Sequence, residues 1–300
     1  MVVVADIGGT KIGLGHLEPD RPPSASSPPP LENFPTDRLR VDDPVEAMAG
    51  LLEDYAAQRA LSPAAAVLGV PVSPDRDMDI VLSSPNIPQL EGVAFATKLT
   101  QRLGYPVYLE RDIALLLLGE YRAGAARGSK STLGVFFGTG VGAAMLFGGL
   151  PYRGHSVGLE LGHIPIRGEG KRCVCGNLDC LEAYACGHTL VELSRQHQTP
   201  VESLFVRRAE SPALDRALFE FVRDEAYAVA TAINLFDPDT AVIGGGIPLM
   251  AGYPKEEFAR TVFDHLRRPY PRDSVGLRWA ELGSSAVLHG ALAVLEGRER

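Results

Sequence analysis

The sequence predicts an α/β protein built as two related lobes, and three observations lead there. Short apolar runs with strand character alternate along the chain with longer segments whose apolar residues recur at helical spacing. Each half opens with a strand hairpin whose bend combines glycine with threonine, Gly8-Gly9-Thr10 in one and Gly138-Thr139-Gly140 in the other. The length of 300 residues suits two domains of about 150 each.

Val2-Val3-Val4-Ala5-Asp6 reads as a buried strand, and Lys11 to Leu17 returns beside it across the first glycine turn. Residues 19–35 hold seven prolines among several serines, too few ladder donors for a central strand, so the segment reads as a long exposed hairpin loop. Residues 45–60 read as a helix, Ala66 to Pro71 as a short strand and Gly92 to Leu103 as a second helix. Val107 to Leu109 is then a strand that delivers Glu110-Arg111-Asp112 to its C-terminal end, where open α/β sheets bind ligands. Ile113 to Ala125 continues as a helix. From Ser131 to Tyr152 no residue is charged, a stretch long enough to cross a bilayer, but six glycines divide it. Leu133 to Phe137 and Val141 to Phe147 are better read as two buried strands. A cysteine-bearing loop follows, then mostly helix from Leu181 to Phe236. A strand from Ala241 to Ile243 runs into Gly244-Gly245-Gly246, and a helix from Ser284 to Glu296 closes the chain. The expected lobes are residues 1–112 joined by 284–300, and residues 113–283.

A 45% hydrophobic and 22% charged composition is that of a soluble globular protein. With 29 basic against 37 acidic residues the net charge is −8, which argues against nucleic-acid or anionic-membrane partners. Four cysteines are too few for a disulfide scaffold, and the first residues lack the basic flank and long apolar run of a secretory signal. The expected location is a reducing cytoplasm.

Glycine turns beside threonine let successive backbone N–H groups approach phosphate oxygens, because no Cβ intervenes. Gly8-Gly9-Thr10, Gly138-Thr139-Gly140 and Gly244-Gly245-Gly246 give three places where backbone could meet a nucleotide, and neither a P-loop nor a dinucleotide fingerprint is present. Plain hairpin turns are the competing reading. Asp6, at a strand end, suits the water shell of Mg²⁺. His163, Cys173, Cys175 and Cys180, spaced H-x9-C-x-C-x4-C, form the closed set expected of structural zinc, against three reduced thiols clustered by chance. Cys186 falls outside that spacing and reads as a small buried residue. Glu160 and Glu182 flank the cysteine loop, and with His163 they offer hydrogen-bond partners to a polyhydroxylated ligand. Either glutamate alone would pass for a surface residue.

Asp6-Ile7-Gly8-Gly9-Thr10-Lys11, Glu160-Leu161-Gly162-His163 and the run from Cys173 to Glu182 resemble the ROK family of sugar kinases and repressors, and the resemblance spans the chain. It implies the two-lobed actin-like, hexokinase-like ATPase fold of ribonuclease H type, with nucleotide and sugar bound in the cleft between α/β lobes. It implies ATP, Mg²⁺ and a structural zinc as cofactors, a hexose as substrate, and a homodimer. Asp112 is then the base for the sugar's 6-hydroxyl, with Asn86, Arg111, Glu160, His163 and Glu182 against the sugar. Asp6, Gly8, Gly9, Thr10, Lys11, Gly138, Thr139 and Gly140 hold phosphates and Mg²⁺, and Gly244, Gly245 and Gly246 lie near the adenosine.

Ser84-Pro85-Asn86-Ile87-Pro88, Arg111-Asp112, Glu160 to Pro165, Asn234 to Asp239, Gly244-Gly245-Gly246 and Leu266-Arg267-Arg268-Pro269 are most similar to family members that phosphorylate D-allose. Glucose and N-acetylhexosamines are the alternatives. Most other kinases of the family would carry Asn at position 111, and the family usually has Gly where Asp179 stands, a position whose left-handed backbone Asp tolerates. Local readings compete here too: Asp112 as a plain helix N-cap, and Arg111 as a surface partner of Glu110 or another acid. A repressor would need a DNA-binding module ahead of Val2, for which the sequence leaves no room. A chaperone-like or actin-like ATPase would not require a hexose.

Overall fold

A computed structural model describes residues 1–24, 29–155 and 158–298. The chain forms two compact units, residues 1–128 with 149–158 and 281–300, and residues 129–148 with 159–280.

In the first unit, β1 (Val2–Ile7) is a nearly continuous buried run, as a strand covered on both faces requires. It pairs antiparallel with β2 (Lys11–Leu17), and β2 with β3 (Glu32–Pro35). The proline-rich segment, expected to be loop throughout, therefore ends in an edge strand. Pro35 closes it, where a missing N–H costs little. Residues 25–28 of that segment lie outside the described residues. On the other side β1 pairs in parallel with β4 (Ala65–Val70), and β4 with β5 (Val107–Arg111), giving the order β3-β2-β1-β4-β5. α1 (Pro44–Gln58) starts on proline, with the Asp43 side chain accepting the Glu46 N–H, and α2 (Phe95–Leu103) stops at left-handed Gly104. Met48, Leu52, Phe95 and Leu99 bury against Val3, Ala5 and Leu68. α3 (Asp112–Ala123) follows β5 without a connecting residue.

The second unit opens with the antiparallel pair β6 (Ser131–Phe137) and β7 (Val141–Phe147). These are the two strands expected of the uncharged stretch, and no helix among the described residues is long and apolar enough to cross a membrane. α4 (Leu181–Tyr184), α5 (Gly187–His197) and α6 (Pro212–Phe236) follow. β8 (Thr240–Gly244) pairs in parallel with β6; α7 (Lys255–Asp264) then leads to β9 (Gly276–Trp279), parallel to β8. The order β7-β6-β8-β9 repeats β2-β1-β4-β5 in direction and connection. The two glycine turns are thus equivalent bends of a repeated hairpin.

α8 (Ala286–Arg298) belongs to the first unit and crosses α3 backbone to backbone. A Cβ on Gly119 would lie 2.0 Å from the Ala286 carbonyl oxygen, and one on Gly290 would lie 2.0 Å from that of Leu115. This packing keeps α3 in the first unit, so the boundary falls at Gly128 instead of 112.

Candidate functional site

Asp112 stands where β5 ends and α3 begins, at the first helical position; the capping position is Arg111. Its Oδ1 accepts the Ile113 N–H at 2.8 Å, and the positive end of the helix favours a carboxylate there. Glu110, 3% exposed, is held by Arg153, whose guanidinium donates to both carboxylate oxygens at 2.9 and 2.6 Å. The Arg111 guanidinium donates through Nη1 to the Gly158 carbonyl at 3.0 Å.

At the first glycine turn, Gly8 N–H donates to the Lys11 carbonyl at 2.8 Å, while Gly9 faces the Asn86 side chain. Neither glycine has a positive φ, so backbone strain does not dictate them. Two residues that sequence patterns do not single out brace this turn. Thr36 Oγ1 donates to the Gly8 carbonyl at 2.7 Å, and Arg40 Nη2 donates to that of Gly9 at 2.8 Å. Burial pushes the Asp6 carboxyl up to about 6, against the opposing pull of Lys11. Among the described residues no side-chain hydrogen bond reaches Asp6. A cation at this place would compensate a carboxylate that the protein leaves unpaired.

The second unit gathers its candidates at one end of the β6–β7 hairpin. A Cβ on Gly138 would meet nothing within 4 Å, so neither packing nor a positive φ explains that glycine. The Gly187 N–H, at the start of α5, donates to the Gly138 carbonyl at 2.8 Å, which sets the turn against a helix N-terminus suited to anions. Glu182 Oε2 accepts the Val141 N–H at 2.8 Å, and a Cβ on Gly140 would strike it at 2.4 Å. The 3-10 turn Leu161–His163 packs on the same strand start, since Gly162 leaves no room for a Cβ beside the Val141 carbonyl. Glu160 precedes it, with Oε2 3.9 Å from His163 Nε2. At the end of β8, Gly245 is obligatory: its φ is +94° and a Cβ would fall 2.1 Å from the Phe137 carbonyl oxygen. Gly246 faces open space.

His163, Cys173, Cys175 and Cys180 converge, with one ligand atom of each within 4.8 Å of the others. Cys175 and Cys180 Sγ are 3.7 Å apart, and Cys173 Sγ is 3.8 Å from His163 Nδ1. A tetrahedron with metal–sulfur bonds of about 2.3 Å has edges of about 3.8 Å, so the donors fit zinc in kind and spacing. Nδ1 faces the thiols and Nε2 faces Glu160. Asp179 takes the left-handed conformation, φ +61°, in the turn before Cys180. Its carboxylate accepts the Tyr184 hydroxyl and the N–H groups of Glu169, Gly170 and Lys171, which hold its pKa below the usual range. The side chain thus ties the loop together where glycine could not. Cys186 is buried at the start of α5 and lies outside the cluster.

Two cavities, about 480 Å³ beside Tyr253 and Arg260 and about 440 Å³ beside Asp77 and Tyr108, include none of these residues in their walls.

Repeated mixed sheets with glycine turns at their hairpins, and an acidic residue at the end of a parallel strand, define the hexokinase-like sugar-kinase fold. The chain belongs to the ROK family, matching it over residues 3–298. It is similar to the glucokinase of Streptomyces coelicolor, 28% identical over 97% of this chain and 96% of that protein. It is also similar to the N-acetyl-D-glucosamine kinase of Escherichia coli O157:H7, 29% identical over 81% of this chain and 82% of that one. Among solved structures, the ROK family glucokinase from Streptomyces griseus in complex with glucose and AMPPNP has a TM-score of 0.79 at 25% identity, covering 98% of each chain.

Proposed function

We propose that the protein transfers the γ-phosphoryl group of ATP to the 6-hydroxyl of an aldohexose, and that this hexose is D-allose. The observation that carries the kinase reading is Asp112, an acid at the C-terminal end of a parallel strand in a chain of this family. Asp112 takes the proton of the 6-hydroxyl as the sugar oxygen bonds to the γ-phosphorus and the bond to the β–γ bridging oxygen breaks, releasing ADP. Asn86, Arg111, Glu160, His163 and Glu182 orient the sugar. The turns Gly8 to Lys11 and Gly138 to Gly140 face the phosphates with the backbone N–H groups that their own hairpin bonds leave free, Asp6 would hold the Mg²⁺, and Gly244 to Gly246 border the adenosine. Bound Mg²⁺ offsets the charge of the triphosphate.

Allose differs from glucose only at carbon 3. Arg111, next to the base, supports that choice of epimer: a rigid fork of charged donors favours a different hydroxyl arrangement from the one donor group and one acceptor of Asn. An epimer that leaves a buried polar group unpaired loses about 1–3 kcal/mol, or roughly 5- to 150-fold. The expected kcat/KM for D-allose exceeds that for D-glucose and N-acetyl-D-glucosamine by at least about tenfold in a coupled assay. Equal or reversed preference moves the substrate to glucose or an N-acetylhexosamine, the second reading, which the similarity to a glucokinase and to an N-acetyl-D-glucosamine kinase supports in part.

His163, Cys173, Cys175 and Cys180 hold a structural zinc that fixes the segment between Glu160 and Glu182. Metal analysis is expected to find about one zinc per chain, and Cys175→Ser is expected to lose most of it. The variant's hexose KM rises while nucleotide affinity stays. Wild-type protein from metal-replete growth with little zinc would contradict the assignment.

A further inference from the structure

We infer that Thr36 and Arg40 are positioning residues for the phosphate-facing turn, and that Arg40 couples this turn to Asn86. The inference deepens the kinase reading and rests on it. All three carbonyls of the turn are occupied from one short segment. Thr36 Oγ1 donates to Gly8 O at 2.7 Å and Thr36 N to Thr10 O at 3.2 Å, while Arg40 Nη2 donates to Gly9 O at 2.8 Å. Carbonyl lone pairs aimed at a triphosphate would repel it, and peptide planes cannot direct oxygen and N–H to the same side. Holding the three oxygens toward residues 36–40 frees the opposite face of the turn for an anion.

Thr36 is fully buried, so its hydroxyl is committed to this bond. The Arg40 guanidinium uses each of its nitrogens: Nη2 on Gly9 O, Nε on Asn86 O at 3.0 Å, and Nη1 on the Asp37 carboxylate. One rigid fork therefore joins the turn assigned to phosphate with the residue assigned to sugar. Asn86 also lies against Gly9, where a Cβ would come within 3.3 Å of its Oδ1. Thr36 braces the turn alone, whereas Arg40 braces both. Their loss must therefore read out differently.

The test is steady-state kinetics on the full chain, varying ATP and hexose separately, for Thr36→Val, Thr36→Ser, Arg40→Ala and wild type, with ADP affinity measured by calorimetry. Thr36→Val keeps the shape and deletes the donor; it is expected to raise the ATP KM about 5- to 50-fold with the hexose KM within about twofold of wild type. Thr36→Ser, which restores the hydroxyl, returns the ATP KM to within about threefold. Arg40→Ala raises both KM values. An ATP KM and ADP affinity unmoved in both Thr36→Val and Arg40→Ala, or a Thr36→Ser as impaired as Thr36→Val, overturns the inference. If Thr36→Val does not fold, exposed Arg40 carries the test through the joint rise in both KM values. Wild-type protein with neither hexose-dependent turnover nor ADP binding overturns the kinase reading itself, a result distinct from active wild type with unmoved variants.

Discussion

Asp112→Asn is expected to lower kcat by about 10² to 10⁴ while ATP and hexose binding persist. The amide keeps the volume, and its oxygen can still accept the Ile113 N–H that Oδ1 accepts now, so α3 keeps its first turn. What disappears is the ability to take a proton from the attacking hydroxyl. Phosphoryl transfer depends mainly on positioning and charge neutralisation, so residual turnover remains. A mere helix-terminal role predicts the reverse pattern: near-normal turnover, with stability changed only by the charge lost at the positive end of the helix, about 0.3–1 kcal/mol. Rapid-quench measurement of the chemical step, beside nucleotide and sugar affinities, separates the two. Near-full turnover in the variant would remove Asp112 from the base's role.

Asp6→Asn is expected to abolish most activity and yet raise the melting temperature of the ligand-free protein at neutral pH. Burial lifts this carboxyl from 3.8 to about 6 in the folded state. The folded protein therefore holds the proton more tightly than the unfolded chain does. The sign follows from that difference. Below about pH 4 the carboxyl is protonated in both states and costs nothing; as pH rises toward 6 the unfolded chain gives up its proton first, and above 6 the folded state carries the full cost of about 3 kcal/mol for roughly two units. Asparagine does not titrate, so the variant gains stability at pH 7 to 8 and gains little at pH 4. Melting curves across that range, in magnesium-free buffer without nucleotide, read the difference. A variant no more stable than wild type at pH 8 would mean that the carboxylate is better compensated than its surroundings suggest. A residue that destabilises its own fold is the kind retained for function.

The repeated hairpins were legible because strand character and turn chemistry are local: a run of valines into Asp6, then glycines and threonine, needs no distant partner to be read. The cysteine cluster was legible for the same reason, as spacing carries it. The left-handed backbone at Asp179 was expected only through the resemblance, since the family usually has Gly there and Asp tolerates that conformation. β3 stayed hidden because prolines around it argue against a ladder that only its edge position permits. β9 is four half-buried or exposed residues including glycine, too short for periodicity, and α7 lies in a stretch for which the sequence offered no element. Thr36 and Arg40 were out of reach altogether. They act through backbone carbonyls 28 and 31 residues away, and nothing in a side chain's identity announces such a partner. Arg111 was found as a residue but not as a contact, since its bond to Gly158 depends on how the 149–158 segment folds back into the first unit.

Hexose-dependent ADP formation tests the kinase reading most directly. Purified protein with ATP and Mg²⁺ is offered each aldohexose and N-acetylhexosamine in turn, and phosphorus NMR identifies the product. The expected result is ADP release that requires a hexose, fastest with D-allose, with phosphate as a monoester on carbon 6. ATP hydrolysis at the same rate without sugar, or no phosphorylated sugar from any hexose, would contradict it.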